Sequence, residues 1–68
     1  FDWKELVAIL NALGFTETKS GKTGGSRRKF FHKDKNLIIT LHKPHPSSIV
    51  KKYALKQVIE TLKIGGII

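Results

Sequence analysis

Sixty-eight residues suffice for one small domain whose modest core buries roughly 60% of the unfolded chain's surface, a length that excludes a large two-substrate enzyme. Thirteen Lys and Arg against five Asp and Glu leave a net charge of +8, with a pI near 10.1, so a polyanion is the expected partner and acidic small-molecule chemistry moves down. The absence of cysteine excludes disulfides, thiolate nucleophiles and Cys-ligated zinc, and no apolar run approaches the ~18 residues of a membrane span, so the chain reads as soluble and cytoplasmic. It opens at Phe1 without methionine or a recognisable leader, as expected of a chain lacking a few N-terminal residues.

From Asp2 to Leu13 the residues Trp3, Leu6, Val7, Leu10 and Leu13 recur at helical spacing and predict an amphipathic helix. Asp2 can cap it, Glu5 completes a capping-box-like pattern, and Gly14 followed by Phe15 marks its stop. Phe15 to Lys19 alternates as a short strand, and Ser20 to Gly25 is a glycine-rich loop. Ser26 to His32 and Leu37 to His42 predict two extended runs joined by Lys33-Asp34-Lys35-Asn36, a composition suited to a four-residue hairpin loop. Pro44 to Ser48 is too proline-rich for regular structure and reads as a rigid connector. Ser47 or Ser48 is expected to cap a last helix, in which Val50, Ala54, Leu55, Val58 and Leu62 recur up to Gly65-Gly66. The sum is a two-layer α+β fold, residues 1–68 as a single unit, with both helices on one face of a three-stranded antiparallel sheet.

A four-residue loop between His32 and Leu37 sets the hairpin register. Phe30 then opposes Ile39 and Arg28 opposes Leu41, alternating with Phe31 against Ile38, Lys29 against Thr40 and Arg27 against His42. The Phe30, Ile39, Leu41 and Leu37 face is the better core. The face with Arg27, Lys29, Thr40 and His42 is the better candidate for solvent. Phe31 is then either an exposed aromatic for stacking a base or a structural cap against Ile38.

The charge is concentrated, because Lys19 to Lys35 carries seven cations against Asp34 alone and includes Gly21, Gly24 and Gly25. Gly21-Lys22-Thr23 fails as a P-loop, since Thr16 stands where the leading glycine belongs and a strand follows instead of a helix. His32, His42 and His45 have no acidic neighbours suited to a metal site, and no Ser-His-Asp set is available. Histidine among dense cations remains, which suits either phosphate binding or metal-free RNA cleavage by the 2′-hydroxyl. On these residues alone RNA binding outweighs cleavage.

The chain resembles the HicA-type (YcfA-like) toxins of bacterial toxin-antitoxin pairs from about Asp2 to Leu62. The marks are the helix ending in Leu13-Gly14-Phe15, Gly25-Ser26 leading into a strand with Phe30 and His32, the strand leading to Pro44-His45-Pro46, and the closing helix around Tyr53 to Val58. The resemblance implies a fold like that of double-stranded-RNA-binding domains, cofactor-free and metal-independent cleavage of mRNA, and neutralisation by a HicB antitoxin. In the family's pattern a catalytic histidine follows Gly-Ser, and here Arg27 stands there, which cannot act as a base at neutral pH. The chain is then a subfamily using another imidazole, a protein whose Arg27 only holds phosphate, or a non-catalytic RNA-binding module. His42, across from Arg27, is the proposed proton-transfer group, with Arg27 and Lys29 on the scissile phosphate. His32 is the alternative catalytic candidate, expected rather to be structural or a substrate contact. Lys22, Ser26, Arg28, Lys29 and Phe31 are the expected RNA contacts. A basic component of a larger assembly such as the ribosome is the third class of function.

Overall fold

The computed structural model describes residues 1–18 and 27–68 in the order α1 (Trp3–Ala12), β1 (Phe15–Thr18), β2 (Arg27–His32), β3 (Leu37–His42) and α2 (Lys52–Ile64). The glycine-rich loop expected between β1 and β2, with Lys22 and Ser26, lies outside the described residues. The strands form one antiparallel sheet in the order β1-β2-β3. Its β2–β3 register is the one expected, from Arg27 opposite His42 to His32 opposite Leu37. Asn36 closes the four-residue loop at φ 53°, a left-handed conformation that asparagine tolerates better than most residues.

Both helices lie on one face because one set of alternating residues is apolar. Phe15, Phe30, Ile39 and Leu41 from the sheet join Trp3, Leu6 and Leu10 of α1 and Val58 and Leu62 of α2 in a single buried cluster. Phe30 is fully buried at its centre, with the Trp3 ring tilted against it at 6.0 Å. The boundaries of α1 follow the expected signals. The Asp2 carboxylate accepts the Lys4 amide at 3.0 Å, Leu13 ends the helix, and Gly14 follows at φ +100°, where a side chain is strained. Glu5 stands in the first turn but makes no return bond to Asp2 among the described residues.

The start of the second helix differs from expectation. Helix α2 begins at Lys52, and neither Ser47 nor Ser48 caps it: Ser47 Oγ accepts the Ile49 amide, while the Ser48 hydroxyl donates to the Asp2 carboxylate. The physical reason is a backbone tie, in which residues 48–50 run extended beside residues 1–3. Asp2 bridges Ile49, the Trp3 amide donates to the Ser48 carbonyl, and the Val50 amide donates to the Phe1 carbonyl, both at 2.7 Å. Val50 is therefore buried as part of this tie and not as the first turn of a helix. Strand β1 ends at Thr18, with Lys19 beyond the described residues.

Candidate nucleic-acid interface

Strand alternation sends the second set of side chains away from the helices. Arg27, Lys29 and Phe31 of β2 share this open face with Ile38, Thr40 and His42 of β3 and with Thr16 and Thr18 of β1. Arg27 and His42 are register partners at one end, followed by Lys29 and Thr40. Directly opposed residues hold their Cβ atoms about 4.5–5.5 Å apart. An exposed guanidinium and an exposed imidazole are thus close enough to address one phosphate, with the Lys29 ammonium on the same face.

Phe31 is half-buried between its register partners Thr16 and Ile38, which suits the structural cap better than a fully open stacking platform. The more exposed apolar group here is Ile38, at 61%.

Arg28 and His32 face the other way. Arg28 Nε lies 3.4 Å from Glu17, and its Nη1 donates to the Arg27 carbonyl at 3.0 Å. Such a partly exposed pair contributes about 0–1 kcal/mol. His32 is 8% exposed, the one buried polar side chain among the described residues. Its Nδ1 accepts the Lys35 amide at 3.1 Å, a role open only to an unprotonated ring nitrogen. Its ring meets Phe15 edge-on at 5.0 Å, and a Cβ placed on Gly14 would lie 2.8 Å from Nε2. The fold therefore brings Arg27, Lys29, Phe31 and His42 together, places Arg28 and His32 behind them, and leaves Lys22 and Ser26 outside the described residues.

A cavity of about 280 Å³ adjoins the Arg27–His42 end, lined by His42, Lys43, His45, Lys51 and Tyr53 over a floor that includes Val50 and Ala54. Lys43, Lys51 and Tyr53 are not singled out by their sequence context alone, although cations on both sides of a proline-rich connector, followed by an aromatic, are the available signal. Among the described residues no three His, Cys, Asp or Glu side chains gather as a metal would need, and no helix is long and apolar enough to cross a membrane.

A family model described as the HicA toxin of bacterial toxin-antitoxin matches residues 3–64. No curated protein and no solved structure gives a match.

Proposed function

The chain belongs to the HicA toxin family of bacterial toxin-antitoxin systems, and on that premise we propose that it is an endoribonuclease that cuts mRNA in the cytoplasm without a metal or cofactor. Arg27 opposite His42 on the open sheet face carries this reading. Histidine is the side-chain type whose ordinary pKa suits it to accept and return a proton near neutral pH. His42 takes the proton of a ribose 2′-hydroxyl, the 2′-oxygen attacks the adjacent phosphorus, and the bond to the 5′-oxygen breaks. The products are a 2′,3′-cyclic phosphate and a 5′-hydroxyl, the leaving oxygen taking its proton from solvent while His42 returns its own to solvent. Arg27 stays charged at any accessible pH, so it serves the phosphate: with Lys29 it neutralises the charge that builds on the phosphorane.

His32 is excluded from proton transfer in this scheme, because its Nδ1 is engaged by the hairpin loop on the far side of the sheet. Lys22, Ser26 and Phe31 are assigned to the flanking RNA, whereas Arg28, turned to the other face and paired with Glu17, is left out of this contact. A HicB-like antitoxin with an acidic surface would restrain the enzyme by covering the Arg27–Lys29 face, where opposite charge speeds association.

The test is incubation of purified protein with RNA and a metal chelator. Fragments ending in cyclic phosphate are expected, and His42→Ala is expected to slow their formation roughly 10²–10⁴-fold, with an unchanged unfolding midpoint. An undiminished rate in that variant overturns the assignment of His42. A shift in RNA mobility with no fragments would establish the other reading, a non-catalytic module of double-stranded-RNA-binding type, which Arg27 in place of the family's histidine favours.

A further inference from the structure

We propose that the cavity between the end of β3, the connector and the start of α2 is a subsite for one unpaired nucleotide of RNA, with its base stacked on Tyr53 and its phosphate held by Lys43 and Lys51. The inference rests on the RNA-directed reading, since His42 belongs both to the cavity wall and to the Arg27 pair. A nucleotide seated here is next in line to the phosphate at Arg27.

Size limits the occupant. At about 280 Å³ the cavity falls just below the ~300–1,000 Å³ usual for ligand pockets, so it has room for one base and none for a length of duplex. Its chemistry selects an anion with an aromatic part. Two lysines and two histidines line it and no carboxylate does, and among the described residues the Lys43 and Lys51 side chains enter no ion pair or hydrogen bond. Tyr53 is 65% exposed and enters no ring pair among the described residues, so a face of the phenol is open to a base. Aromatic platforms of this kind hold single strands with little regard to base identity.

The walls are preformed. Val50, in the floor, is buried and has its amide tied to the Phe1 carbonyl, and the Ile49 amide is bonded to Ser47 Oγ. Binding therefore orders little backbone, which preserves affinity. A base inside a duplex is stacked and paired, and entering the cavity would require extruding it. The subsite thus selects single-stranded or looped RNA, a narrower substrate class than a duplex-binding fold suggests.

The test uses the full chain and a 2′-O-methylated oligoribonucleotide, which cannot be cut because the attacking hydroxyl is blocked, carrying a fluorescent purine analogue that is quenched on stacking. Tyr53→Ala is expected to weaken single-strand binding about ten-fold and to abolish the quenching, while Tyr53→Phe keeps both. Binding of the same sequence as a duplex is expected to be indifferent to Tyr53→Ala. Single-strand affinity in Tyr53→Ala equal to that of the parent overturns the proposal, as does an equal loss for duplex, or a free nucleoside monophosphate that binds as tightly as the oligonucleotide. Quenched binding by the parent protein, combined with no cleavage of unmodified RNA, would sink the catalytic reading and leave the subsite standing.

Discussion

His32 and His42 close opposite ends of the same hairpin, one behind the sheet and one in front of it, and the two faces they occupy answer to different forces. Behind, Phe30, Ile39 and Leu41 are buried under both helices, and His32 is accepted there because the Lys35 amide satisfies it. In front, the side chains of Arg27, Lys29 and His42 are exposed to solvent. Period-two alternation lets one short segment serve as core and as site without either compromising the other. Substitutions should accordingly divide into those that cost stability and those that cost chemistry.

Phe30→Ala gives the largest separation. Emptying a fully buried phenylalanine position costs about 3–5 kcal/mol, most of the stability of a chain this short, so urea unfolding is expected to show a largely unfolded population. His42→Ala, in contrast, is expected to leave the urea midpoint in place. A Phe30→Ala protein with a wild-type midpoint would break the division. Gly14→Ala sharpens the account of His32. The added methyl would lie 2.8 Å from Nε2 at a backbone φ of +100°, and a loss of about 1–3 kcal/mol is expected. Combining it with His32→Ala removes the clash, so the double variant should lose less than the sum of the singles. Strict additivity would mean that the imidazole is not wedged as described.

The smallest effect is on acid stability. The Ser48 hydroxyl, above all, holds the Asp2 carboxyl below its ordinary value of 3.8. A carboxyl depressed in the folded state adds stability above the unfolded value and loses it as pH falls through the folded one. Ser48→Ala should therefore melt slightly earlier than the parent at neutral pH, and the two curves should converge below about pH 4. A gap of constant size at both pH values would contradict this link.

The hairpin was legible because a four-residue loop counts out its own register, and the alternation then sorts the faces. The position of His32 was equally available, since the register puts it in the same set as Phe30, opposite Leu37. The start of α2 was not legible. A serine just before a helical pattern looks like a local cap, whereas Ser48 bonds to Asp2 at the other end of the chain, a contact created only when the connector returns past α1. Phe31 was left open between two readings for a related reason, because its exposure depends on side chains from two neighbouring strands and not on its own pattern. The connector cavity needs α2 folded back beside β3, so its residues carry no periodic signal of their own.

The tie between residues 1–3 and 48–50 encloses the whole sheet in one long loop, yet among the described residues it is held by two backbone bonds and the Ser48–Asp2 side-chain bond alone. A terminal segment held by so few bonds opens in local excursions below the free energy of global unfolding. An excursion that releases the Val50 amide also releases a piece of the cavity floor, while β2 and β3 stay paired. Amide exchange at Trp3 and Val50 is thereby coupled to the breathing of the proposed nucleotide subsite, and an occupant that holds the floor in place would slow exchange at both.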